Sequence, residues 1–203
     1  MPVAQLDPEL GSMTCSVQDS LQIEHRLPHE RILDVARELF CRDGIHATGI
    51  DRILTEAGAS KMTLYARYGS KQALLREVLL HEGAAWRALF AEGLVGAAPL
   101  ERVVSSLEAI YEQRPFYGCA FMNAVAEHAK GEAWLRELAA GHHREILDGL
   151  TRHGVAGGYD DPAMLARQLL LVVDGAIVAL MVSGDRAVFA IAERNLRAIL
   201  LAA

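Results

Sequence analysis

Gly58-Ala59-Ser60-Lys61-Met62-Thr63-Leu64-Tyr65-Ala66-Arg67-Tyr68-Gly69-Ser70-Lys71-Gln72 is the stretch that decides the fold. Gly58 suits the residue that ends one helix, because glycine enters the left-handed conformation at little cost. Ser60 suits the N-cap of the next helix, where its hydroxyl accepts an orphan backbone N–H. Gly69-Ser70 repeats that stop and start. The helix between these marks is about two turns long, too short to persist alone. Neighbours must hold it, with Leu64 turned inward. Its other positions offer Lys61, Thr63, Tyr65 and Arg67, and Lys71 follows, so the stretch holds three cations and no acid. A short, supported, basic helix carrying hydroxyls is the form that a helix-turn-helix inserts into the major groove.

Helices continue on both sides. Upstream, Ile32, Leu33, Ala36, Leu39 and Phe40 recur at helical spacing from His29 to about Asp43. Gly44 stops that helix. Ile50, Ile53, Leu54 and Ala57 form a second, with Thr48 or Gly49 at its N-cap. Downstream, Ser70 caps a fourth helix through Leu74, Leu75, Val78 and Leu79 towards Phe90. Gly93 to Pro99 reads as a connection. Leu100 to Gln113 is a fifth helix, ended by Arg114-Pro115. Cys119 to Ala129 is a sixth, and Glu132 to His153 a seventh. Gly154 to Tyr159 reads as a glycine-rich loop. Asp161-Pro162 opens the eighth, with Asp as N-cap and Pro at the first helical position. A ninth runs from Arg186 to Leu201. The expected fold is all-α, with about nine helices and no β-alternation of useful length.

The eighth helix is apolar almost all round from Leu169 and must be covered on more than one face. A second copy of the last two helices would supply the missing surface, which predicts a symmetric homodimer built on a four-helix bundle.

The 203 residues carry a net charge of −6, which argues against a generally basic nucleic-acid binder. Its distribution is uneven. Residues 28–80 hold eight Lys/Arg against seven Asp/Glu, while the segments on either side are acidic. An acidic body with one basic tip limits non-specific DNA binding and keeps a local phosphate footprint. Cys15, Cys41 and Cys119 are widely spaced and odd in number, so neither a disulfide framework nor a metal spacing follows. No uninterrupted apolar run reaches membrane-spanning length. The N-terminus lacks a basic region followed by an apolar core. A cytoplasmic protein without membrane or cofactor is expected.

The run Phe40, Gly44, Thr48, Ile53, Ala57-Gly58, Ser60, Thr63-Leu64-Tyr65, Tyr68, Ser70-Lys71, Leu74 resembles the tetracycline-repressor (TetR) family of bacterial regulators. The likeness covers residues 29 to 76. Gly118-Cys119-Ala120-Phe121-Met122-Asn123 and the last two helices are similar to one branch of that family. Gly49 departs from a frequent Thr or Ser, and Leu54 from a frequent Ala. The resemblance implies an N-terminal arm (1–28), a three-helix DNA-binding domain (29–76), and a ligand-binding and dimerisation domain (77–203). It implies a homodimer on a pseudopalindromic double-stranded operator, acting as a repressor. A partly apolar small-molecule effector would move the two DNA-reading heads apart.

The implied DNA contacts are Thr48, Ser60, Lys61, Met62, Thr63, Tyr65, Arg67 and Lys71. Lys71 follows a cap at a helix N-terminus and suits a phosphate, as does the Tyr65 hydroxyl. Lys61 and Thr63 lie where base edges are read, and Met62 could meet a thymine methyl. Solvated cations are the plainer reading for Lys61, Arg67 and Lys71, and the surrounding motif outweighs it. Tyr68 reads as core.

Candidate effector contacts are Trp86, Phe90, Glu108, Tyr111, Phe116, Cys119, Met122, Asn123, Glu127, Gln168 and Asp174. Core packing is the plainer reading for each apolar member. Each polar member needs a partner if buried, and a ligand or a structural hydrogen bond would serve. Cys119 reads as an inert buried thiol rather than a sensor. Glu127-His128 and His142-His143 lack the paired Glu-x-x-His motifs of a di-iron bundle, so no metal is expected. No nucleophile–base pair or phosphate loop can be named, which disfavours a helical-bundle enzyme. A DNA-bound regulator without an effector is the other rival.

Overall fold

Local signals in the chain account for most helix boundaries. A computed structural model describes residues 26–93, 99–113, 116–128 and 132–203. The 1–25 part of the N-terminal arm with Cys15, the connection at 94–98 and Arg114-Pro115 lie outside the described residues. The described residues form nine helices and no strand: α1 (Pro28–Asp43), α2 (Ile50–Ala57), α3 (Lys61–Arg67), α4 (Lys71–Gly93), α5 (Pro99–Gln113), α6 (Ala120–His128), α7 (Ala133–Gly157), α8 (Pro162–Ser183) and α9 (Ala187–Ala202). The chain divides into two compact units between Ala85 and Trp86.

In the first unit Pro28 opens α1, and the Glu30 carboxylate accepts the Leu27 N–H at 2.9 Å. Gly58 stops α2 at φ +57°, a conformation that strains any residue with a Cβ. The Ser60 hydroxyl accepts the Thr63 N–H at 3.1 Å and caps α3. The Ser70 hydroxyl does the same for Ala73 at 3.0 Å and starts α4. Ile32, Ala36, Leu39, Ile53, Leu64 and Leu74 are buried together as the core of this unit. α1 packs on both α2 and α3, which gives the short α3 its support.

Of the two N-cap candidates for α2, Gly49 holds the position, and it makes no side-chain bond. Thr48 is fully buried, with its hydroxyl on the carbonyls of Gly44 (2.7 Å) and Leu39 (3.3 Å). Both acceptors lie towards α1, so the hydroxyl is drawn inward.

In the second unit α6 packs on α7, α7 on α8, α8 on α9, and α9 on α5. The Asp161 carboxylate accepts the Met164 N–H at 3.0 Å, and Pro162 occupies the first turn of α8. The glycine-rich segment does not begin a loop at Gly154. α7 continues to Gly157 and ends in left-handed Gly158. Gly154 is glycine because Pro162 presses on it: a Cβ there would lie 3.0 Å from the Pro162 Cβ. α8 is also long and apolar enough to cross a membrane by length and composition, contrary to the reading by uninterrupted runs. A bundle's central helix carries the same signature. Leu165, Leu169, Leu170, Val173, Ile177 and Leu180 are buried, with α7 and α9 as its packing neighbours.

Candidate nucleic-acid interface

Leu64 sets the orientation of α3. It is fully buried, and burying it turns the rest of the short helix outward. Ser60, Lys61, Met62, Tyr65 and Arg67 are exposed, and Thr63 is half-buried beside the Ser60 hydroxyl at 3.0 Å. Met62 is 79% exposed and Tyr65 49%, unusual exposures for apolar side chains with no neighbour over them. Tyr68 closes the helix from inside. It is buried, its hydroxyl donates to the His29 carbonyl at 2.7 Å, and burial pushes its pKa up.

The three cations sit in different environments. The Arg67 guanidinium lies 5.2 Å from the centre of the Tyr68 ring. The Lys71 ammonium is half-buried, donates to the Ile45 carbonyl at 2.6 Å and lies 5.9 Å from the centre of the Phe40 ring. Neither contact cancels a charge. Lys61 instead meets a carboxylate: Asp51, in the first turn of α2, lies 2.8 Å from its ammonium. That hydrogen bond pushes the Lys61 pKa up.

Of the eight residues expected at the DNA, seven lie on or beside this face of α3 and at the start of α4. Thr48 does not join them through its side chain, because its hydroxyl is buried on two carbonyls.

The residues expected to meet an effector lie in the second unit. Trp86 and Phe90 are buried with ring centres 6.3 Å apart. Tyr111 meets Phe116 and Phe189, and its hydroxyl donates to the Gly184 carbonyl at 3.0 Å. Cys119 is buried and Met122 half-buried. Protein groups already serve several of the polar members. Asn123 donates to the Tyr117 carbonyl at 2.7 Å, and Glu108 accepts from Arg186 at 2.9 Å. Asp174 lies 3.3 Å from His143, and burial pushes its carboxyl above the ordinary range. Glu127 and Gln168 are exposed. His142, which the sequence offered only as a metal candidate, stacks on Phe121 at 4.1 Å with its Nδ1 buried and unpartnered.

Residues 32–78, from the first buried position of α1 into α4, match the family described as bacterial regulatory proteins, tetR family. The helix-turn-helix segment of this chain is thus a TetR-family DNA-binding domain. It is 31% identical over 91 residues to the HTH-type transcriptional regulator UidR of Escherichia coli strain K12, an alignment covering 45% of this chain and 46% of that one. The chain therefore spans about half the length of this curated relative. Among solved structures, a TetR-family transcriptional regulator from Streptomyces coelicolor superposes with a TM-score of 0.79 at 29% identity, over 86% of this chain and 94% of that one. A TetR-type regulator from Streptomyces avermitilis gives 0.73 at 28% identity, over 88% and 98%.

Two residues of this TetR-family head were not legible in the sequence. The Arg31 guanidinium donates to the carbonyls of Ala57 (2.9 Å), Gly58 (3.0 Å) and Arg26 (2.9 Å), and so fixes the turn between α2 and α3 to α1. Asp51 is the other, through Lys61. Arg31 reaches that turn across 26 and 27 residues of chain and Asp51 meets Lys61 from ten residues away, so no local pattern signals either.

Proposed function

We propose that this protein is a DNA-binding transcriptional regulator that represses by occupying a pseudopalindromic operator as a homodimer. The observation that carries the reading is the outward face of α3, where Lys61, Met62, Thr63, Tyr65 and Arg67 surround one fully buried anchor, Leu64. Lys61, Thr63 and Met62 read base edges, Tyr65 and Lys71 engage the backbone, and Arg67 reaches a base or a phosphate. The second copy docks on the apolar side of α8 and α9, where Leu171, Val178, Val182 and Ile191 are exposed. A partly apolar effector bound in the 77–203 domain stabilises a dimer whose half-site spacing no longer fits one duplex. The relatives' regulatory names support the reading, and it places the protein in the cytoplasm.

The test is a binding titration of the purified protein on the duplex flanking its own gene, with random duplex as competitor. A retarded complex that resists random competitor is the expected result. Equal displacement by both duplexes would rule out operator recognition. An effector is then sought by thermal shift, and a true hit both raises the melting temperature and releases the DNA.

A further inference from the structure

The Lys61–Asp51 pair is out of place on a surface meant for phosphates. Both side chains are largely in water, Lys61 at 64% and Asp51 at 79% exposure. Asp51 lies in the first turn of α2, where a carboxylate complements the helix N-terminus, but that role does not require Lys61, and a carboxylate at this spot is repelled by DNA. Acids partner Arg42 and Arg52 too, on α1 and α2: Glu38 and Asp43 for the first, Asp43 and Glu56 for the second. Lys61 is the cation of α3 itself that carries such a partner.

We propose that Asp51 is a specificity-determining residue, which cancels the Lys61 charge towards phosphates and leaves its hydrogen-bonding capacity for base edges. The proposal rests on the DNA-binding reading above. Its physics separates two kinds of contact. A lysine–phosphate contact gains mainly by releasing condensed counterions, and that gain needs a net positive charge. The paired ammonium has none to offer, so it adds little to binding in an arbitrary register. A base contact works differently. The ammonium carries three donors, and one bond to Asp51 does not occupy them all. Guanine O6 and N7 are acceptors in the major groove and recognise a donor without needing its net charge. Lys61 then contributes at a matching base pair and stays quiet elsewhere. Asp51 lowers the background rather than raising the peak.

The test uses the full-length protein, its Asp51→Asn and Lys61→Ala variants and the double variant. Each is titrated by fluorescence anisotropy against a random-sequence duplex and a duplex selected from a random pool by the wild type, over a range of salt. Asn keeps the size and exposure of Asp51, and matching melting temperatures verify the fold. Asp51→Asn is expected to bind random duplex roughly five- to ten-fold more tightly at about 0.1 M salt, with a salt slope steeper by about one. Its preference for the selected duplex falls. In the Lys61→Ala background the same change leaves the slope unaltered.

Unchanged random binding by Asp51→Asn overturns the proposal while leaving the regulator reading intact. Equal steepening with and without Lys61 also overturns it, since the acid would then act by simple repulsion. If the wild type binds neither duplex, the regulator reading fails and this proposal fails with it.

Discussion

The Lys71 ammonium is hydrogen-bonded to the main-chain carbonyl of Ile45 at 2.6 Å. Ile45 is buried in the segment between α1 and α2, and Lys71 opens α4. The contact therefore ties the start of α4 to the turn that precedes α2. One residue holds the head together and carries charge at its surface. Lys71→Met removes both roles. A charge-assisted hydrogen bond of this kind contributes roughly 1.5–3 kcal/mol, so the melting temperature should fall by about 3–12 °C for a chain of this size. DNA binding should weaken evenly across sequences, with a salt slope smaller by about one. Calorimetry and salt-dependent titration check the two halves separately. A lower melting temperature with an unaltered slope would make Lys71 structural only.

Tyr65 offers the complementary case. Its ring is 49% exposed, and among the described residues none is hydrogen-bonded to the hydroxyl. Tyr65→Phe should leave the melting temperature within the noise of the measurement. Operator affinity should drop about ten-fold or somewhat more, the value of one hydrogen bond to a charged phosphate at roughly 1.5–3 kcal/mol. The salt slope should stay put, because a hydroxyl releases no counterion. An affinity equal to that of wild type would remove Tyr65 from the contact set.

These two residues also show what could be read from the chain. The outward position of Tyr65 follows from Leu64, the apolar anchor of a short helix, and from caps whose signals lie within three residues. Gly58, Ser60, Ser70 and Asp161-Pro162 are local in the same sense, and they fixed the helix order. Gly154 was misread as the start of a loop because its glycine answers to Pro162, on another helix. Thr48 was misplaced because the carbonyls that capture its hydroxyl become neighbours only after α1 has formed. The partners of the polar effector candidates were the least legible. Asn123 and Glu108 have protein partners in Tyr117 and Arg186, and such partnerships depend on tertiary packing that periodicity does not encode.

His142 makes stability depend on pH. Burial, with smaller contributions from Arg87 and His143, lowers its pKa to about 4 against the opposing pull of Glu145. The folded protein thus keeps the ring neutral where the unfolded chain would protonate it. Its contribution to stability is full above about 6.5 and is lost as the pH falls towards 4. The loss is at most about 3 kcal/mol by the pKa difference, and less where solvent reaches the ring. Asp174 acts with the opposite sign: its raised carboxyl pKa favours the folded state at low pH and loses that contribution as the pH rises. His142→Phe keeps the stack on Phe121 and removes the titration. Its melting temperature should vary less between pH 7 and 5 than that of wild type, and equal slopes would show that His142 is not the group responsible.

The proposed dimer is the remaining requirement of the reading, and the exposed apolar face of α8 is what supports it. Met164, Leu171, Val178 and Val182 recur at spacings of seven, seven and four, which places them on one face of the helix. Leu171 is 74% exposed and Val182 77%. Residues so exposed contribute little to the folding of one chain, so Leu171→Glu should leave the helical content of each protomer intact. In a symmetric pair the same face meets itself, and each substitution sets two carboxylates opposite each other in an apolar contact. Sedimentation equilibrium should therefore show a dimer for wild type and a monomer for Leu171→Glu. Operator affinity should fall by far more than the Tyr65 change causes, because a single head reads one half-site and the second head no longer adds its binding free energy. A variant that stays dimeric with full operator affinity would place the partner on another surface and remove the physical basis for the two-head arrangement.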